Sequence, residues 1–141
     1  MTSHGGTDLQ VLRASMEASL SEESFVFSTF PTGGMDEVTE FSPLGLFWEN
    51  EGLTAILSVE NAGKAGVETQ PCFRRISLAV HSSLEAVGLT AALSKALAEA
   101  GISANVVAAY YHDHIFVPED KAEAALDALI ELSRSAQASL D

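Results

Sequence analysis

"RRISLAVHSSLEAVGLTAALSKALAEAGISANVVAAYYHDHIFVPEDKAEAALDALIELSRS", residues 74–135, decides the fold. Its hydrophobic pattern changes period three times. Residues 74–81 (RRISLAVH) alternate in the manner of a strand. In residues 83–101, Ala86, Leu89, Leu93, Ala96, Leu97 and Ala100 form one helical stripe, and Gly101 stands where a left-handed C-terminal residue belongs. Residues 102–111 (ISANVVAAYY) read as a second strand, and 114–118 (HIFVP) as a third that Pro118 stops. Residues 119–135 form a helix whose acids sit in its first turn, where the macrodipole favours them, with Ala122, Ala125, Leu126, Leu129 and Ile130 turned to a core. Strand–helix–strand–strand–helix is five-sixths of a ferredoxin-like βαββαβ unit. The closing residues, SAQASLD, do not read as the missing strand. The first half of the chain should supply it, with Phe25–Phe30 the first choice, or else a partner chain.

The first half carries a weaker pattern. Leu9, Leu12 and Met16 predict a helix over 8–18 with Asp8 as its N-cap, and 24–30 (SFVFSTF) a short buried strand. PTGG (31–34) marks a turn. Residues 37–52 and 53–63 predict two strands joined through ENEG (49–52), with Trp48 near the tip, followed by a short helix or loop over 64–73. No sequence repeat is evident, yet the order resembles a degenerate copy of the second half. The expected fold class is therefore α+β: two ferredoxin-like modules, 1–70 and 71–141, each an antiparallel sheet with helices on one face.

Composition narrows the function. The chain has 141 residues, 47% of them hydrophobic, and a net charge of −13 with only seven Lys plus Arg. Such a chain repels nucleic acid and anionic membrane surfaces, both of which are bound by neutralising negative charge. The plain reading of the acidity is a solvated surface. Cys72 is the sole cysteine, which precludes an internal disulfide and suits a reducing compartment. MTSHGGTDLQ has neither the basic nor the apolar region of a signal peptide, and no apolar run approaches the roughly 20 residues of a membrane helix, so the cytoplasm is expected. His4 lies in a Gly-rich polar tail and is not a ligand candidate.

Two stretches could carry chemistry. In His112-Asp113-His114, a straight strand would put both histidines on one face, a beginning for a zinc site that still needs a third ligand. The preferred reading is the turn between two strands. In a βαββ unit the first two strands run parallel, so this turn lies at the same sheet edge as the 81–88 loop, HSSLEAVG, and His81 becomes a neighbour of both histidines. The second stretch is that loop. Ser82-x-x-Glu85 matches a capping box, and the free N–H groups of a helix start bind carboxylates. Cys72, near Arg74 and Arg75, is more simply a buried hydrophobe; His81-Ser82 shows no triad; NAGKAG (61–66) lacks the spacing of a phosphate loop.

Residues 76–129 resemble the C-terminal module of small bacterial tandem ACT-domain proteins, most specifically in SSLEAVGLTAA and NVVAAYYHDHIFVP; the upstream DLQVLRASMEASLSEESFVFSTFP and SPLGLFWENEGLTAILSVENA resemble the N-terminal module. The type is similar to the regulatory ACT modules of aspartate kinases and to the cytosolic arginine sensors of animal cells. The resemblance implies modules that pair and bind amino acids at an interface, using the loop after the first strand, here His81 to Gly88. The commoner pattern has an acidic residue and a Pro-Gly pair in that loop; here Gly88 is kept and the proline is absent. The resulting expectation is a non-enzymatic amino-acid sensor without a cofactor, a homodimer acting on an unknown protein partner. Its ligand site comprises His81, Ser82, Ser83, Leu84, Glu85, Ala86, Val87, Gly88, His112, Asp113 and His114. Backbone N–H groups of Leu84–Gly88 would take a carboxylate, and His81, Glu85 and Asp113 the amino group or side chain. The alternatives are a metal protein using His81, His112 and His114, and a structural pairing module with no ligand.

Overall fold

A computed structural model describes residues 16–32, 34–79 and 88–140. The chain forms two compact units, one of Glu22–Arg74 and one of Met1–Ser21 with Arg75–Asp141. Two strands, β1 (Glu17–Phe30) and β4 (Phe73–Ala79), run from one unit into the other.

In the Glu22–Arg74 unit, β1 is followed by α1 (Met35–Thr39), β2 (Gly45–Glu49), β3 (Gly52–Ser58) and α2 (Val59–Ala65). The strand order is β2-β3-β1, with β3 antiparallel to both neighbours. Alternation sends Leu53, Ala55 and Leu57 of β3 into a core with Val26, Phe30, Val38, Ala62 and Cys72. The β2–β3 hairpin closes tightly, Glu49 pairing with Gly52. Gly52 has φ +148°, and a Cβ there would stand 2.7 Å from the Pro31 Cα, so this position requires glycine. Two expected strands are shorter than their patterns. The 37–52 segment opens with α1, and the 53–63 segment stops at Ser58, whose hydroxyl accepts a hydrogen bond from the Asn61 N–H at 3.1 Å and starts α2.

The other unit contains the first residues of β1, then β4, α3 (Leu89–Glu99), β5 (Asn105–Ala108), β6 (Asp113–Pro118), a 3-10 turn (Glu119–Lys121) and α4 (Ala122–Leu140). Its strand order is β5-β6-β4-β1. Counted from β4, with the start of β1 taking the fourth place, this order is second-third-first-fourth, the ferredoxin-like order in circularly permuted form. Leu89, Leu93 and Leu97, at i, i+4 and i+8, bury one face of α3 against Ile76, Leu78, Ile115, Val117, Ala125 and Leu129. Each fully buried leucine here stabilises by about 2 kcal/mol. α3 ends as its sequence predicts: Gly101 has φ +75°, and the Ile102 N–H donates back to the Leu97 carbonyl at 2.9 Å.

The missing strand comes from the first half, but from Glu17–Ser21 rather than Phe25–Phe30. Met16 is buried in this core, Ala18 and Leu20 pack on it, and the Arg75 N–H donates to the Ser21 hydroxyl at 3.0 Å. The expected helix over 8–18 therefore does not extend past Met16, since Glu17 opens a strand; residues 1–15 lie outside the described region. The alternation Glu17-Ala18-Ser19-Leu20-Ser21 is the physical reason. The expected 83–101 helix begins at Leu89, because Gly88 has φ +92°, a conformation a helix interior does not contain. The 102–111 strand is shortened to Asn105–Ala108, and the last helix extends to Leu140, through SAQASL. No described helix is long and apolar enough to cross a membrane.

Candidate functional site

Inward Ile76 and Leu78 leave Ser77 and Ala79 on the other face of β4, and inward Ile115 and Val117 leave His114 on that same face of β6. The strands are neighbours, and the Ser77 Oγ lies 2.9 Å from the His114 Nδ1. The turn before β6 is not His112-Asp113-His114 but 109–112. Ala108 pairs with Asp113, Val107 pairs with His114, and the Ala109 N–H donates to the His112 carbonyl at 3.0 Å. The hairpin pairing claims Asp113 and His114 for the ladder and leaves Tyr110 and Tyr111 at the tip, edge to face at 4.8 Å and 75% and 80% exposed.

His112 turns to a cavity of about 230 Å³ whose other walls are Glu17, Ala18 and Ser19 of β1 and Ser77, Leu78 and Ala79 of β4. The His112 and His114 rings lie 6.3 Å apart at 75°. Partial burial, the Arg75 guanidinium and His112 together hold His114 below the ordinary histidine pKa, against the opposing pull of Asp113. A neutral His114 can accept the Ser77 O–H at Nδ1. Gly88 is the N-cap of α3; it offers no side-chain cap, and the first turn of α3 has no acidic residue. Among the described residues no side chain caps those N–H groups, and backbone N–H groups at a helix start are the kind that bind anions. A larger cavity, about 320 Å³, lies between the start of β1 and α4, but it contains neither histidine.

Among the expected ligand residues, the structure brings His112 to a cavity with the end of β4 and His114 against Ser77 of β4, pairs Asp113 with Ala108 of β5, and places Gly88 at the head of α3. His81, Ser82, Ser83, Leu84, Glu85, Ala86 and Val87 lie outside the described residues. Among the described residues no three His, Cys, Asp or Glu side chains are placed to hold a metal ion; the metal alternative depends on His81. Glu17, Ser19 and Ser77 are wall residues absent from the expected site, and the helix assignment over 8–18 concealed Glu17. Their signal was the polar–apolar alternation around them. Cys72 is buried in the other unit's core beside the Gln70 amide, and 61–66 is the end of α2 with its glycine stop, not a phosphate loop.

Two ACT domain family models match, one over residues 68–131 and one over 4–74. A solved Vibrio cholerae protein of unknown function, described as a possible transport protein, is 48% identical; the alignment covers 92% of this chain and 99% of that one, with a TM-score of 0.85. The regulatory subunit of aspartate kinase from Thermus thermophilus, in ligand-free form, shares the fold at 13% identity, over 82% of this chain and 95% of that one, with a TM-score of 0.62. The corresponding Thermus flavus subunit does so at 14% identity over the same shares, with a TM-score of 0.59. No curated protein matches the sequence. The chain belongs to the ACT-domain family and carries two ACT domains. ACT domains are regulatory modules that generally bind small-molecule effectors.

Proposed function

We propose that this protein is a non-enzymatic sensor of an amino acid, bound where β1, the end of β4 and the β5–β6 turn meet. The observation that carries this is the cavity walled by Glu17, Ser19, Ser77 and His112. It joins a carboxylate, two hydroxyls and an imidazole, and the next described element after β4 is α3, whose N-cap Gly88 has no side chain. That arrangement suits a ligand with both an ammonium and a carboxylate group. N–H groups at Gly88 and the first turn of α3 take the carboxylate. Glu17, with Asp113 and Glu85, takes the ammonium. The hydroxyls, His112 and His114 contact the ligand's side chain, and His81–Val87 complete the wall. The sequential halves 1–70 and 71–141, pairing of two copies, cytoplasmic residence and a protein partner that reads the bound state belong to the same reading.

Thermal shift and calorimetry against the twenty amino acids test it. A saturable rise in the midpoint with one or a few of them is expected. A protein that shifts with none at millimolar concentration overturns it. With a ligand in hand, Glu17→Gln should weaken binding about fivefold, the loss of one partly exposed charge-assisted contact worth about 1 kcal/mol.

A further inference from the structure

The Glu22–Arg74 unit has its own unexplained surface. β2 is the end strand of its sheet, with β3 on one side and, among the described residues, no strand on the other. Such an edge offers a row of backbone groups to any extended chain. Natural edges are commonly guarded by lysine, proline or an inward charge. β2 has none of these, and its two central residues, Phe47 and Trp48, are 70% and 63% exposed. Adjacent strand residues point to opposite faces, so the edge presents an aromatic ring on each face of the sheet. The unit that carries it is strongly acidic. No Lys, Arg or His occurs from Ala14 to Gly63, and the unit carries nine carboxylates against Lys64 and Arg74, the former already paired with Glu60. Glu49, on β2 itself, is tied across the hairpin by the Thr54 hydroxyl.

We infer that the β2 edge docks an extended, basic segment of a partner protein by adding a strand, with the partner's cationic side chains lying over Phe47 and Trp48 and within reach of the surrounding carboxylates. Each element of the site has its counterpart in such a segment: main-chain pairing for the open edge, cation–π contacts for the rings, and charge complementarity for the acids. A second copy of this chain fits less well, since its matching unit carries the same excess of nine carboxylates over two cations.

Trp48 is the chain's only tryptophan and therefore reports on the edge directly. The test titrates the full chain with a capped peptide of alternating lysine and valine, with one control peptide carrying glutamate for lysine and another with proline for the central valine. The expected result is a saturable change in Trp48 emission with the lysine peptide, weakened about tenfold by raised salt or by Phe47→Ser, and absent with both controls. Phe47 lies outside the core, so this variant keeps its fold, which circular dichroism verifies. Trp48 emission that ignores the lysine peptide at millimolar concentration, or responds equally to the glutamate peptide, overturns the inference. So does a peptide-free, concentration-dependent blue shift accompanying dimerisation, which would assign the edge to a second copy.

Discussion

Removing the side chains that Met16 and Leu20 contribute to the second sheet should destabilise its core far more than their peripheral place in the sequence implies. Met16 is only 6% exposed, and Leu20 packs partly buried on the same cluster. Truncating a fully buried Met or Leu to alanine costs about 2–5 kcal/mol. With full burial for Met16 and about half for Leu20, the double variant Met16→Ala/Leu20→Ala should lose about 3–4 kcal/mol, somewhat less than the sum because both touch one core. That is a large part of the roughly 5–15 kcal/mol available to a domain. In urea, with a slope of about 2 kcal/mol per molar, the far-UV circular dichroism midpoint should fall by about 1.5–2 M. Ser19→Ala, on the opposite face, is the control and should move it by less than about 0.3 M. A double variant whose midpoint stays within that control range, at unchanged slope, refutes the assignment of 17–21 as the fourth strand.

Other outcomes follow from single positions. His114 has a lowered folded pKa, so the unfolded chain takes up its proton first as pH falls; stability from this group should be intact above about pH 6.5 and should decline as pH drops from there through the folded value. Imidazole titration by NMR should place His114 below about 6.5, and His114→Gln should flatten that part of the stability–pH curve. Gly52→Ala should destabilise by about 2 kcal/mol or more, because its Cβ would collide with the backbone of Pro31 and Phe30 at a φ of +148°, whereas Gly63→Ala, on α2 with open space around it, should stabilise by up to about 1 kcal/mol; thermal denaturation of the two variants gives both signs. Cys72 is buried, so a thiol reagent should label the native chain slowly and the urea-unfolded chain at once; rapid native labelling would contradict its place in the core.

Much of the architecture was legible because its signals are local. Leu89, Leu93 and Leu97 lie on one stripe by spacing alone, and Gly101 ends that helix because its position needs a left-handed residue. Pro118 ends β6 for an equally local reason. The errors fell where two local signals competed. Leu9, Leu12 and Met16 fit a helical period, while Glu17 to Ser21 fit a strand; only pairing beside β4 favours the second. Likewise His112-Asp113-His114 has turn composition, but the ladder partners Ala108 and Val107 draw Asp113 and His114 into β6 and move the turn to the tyrosines. Of the candidate site, His112 and Gly88 were found by motif, whereas Glu17 and Ser19 were not, because they come from a strand some sixty residues away in sequence from Ser77.

The sequence by itself determined the class: period-3.6 and period-2 stripes must each bury an apolar side, and their order admits a βαββαβ arrangement with an acidic, cation-poor exterior. Only the tertiary structure decided which segment completes the second sheet and what stands around His112. A strand's partner is chosen by long-range hydrogen bonding and by the core available to its inward side chains. Neither leaves a mark on the residues of the strand beyond the alternation that every strand shares.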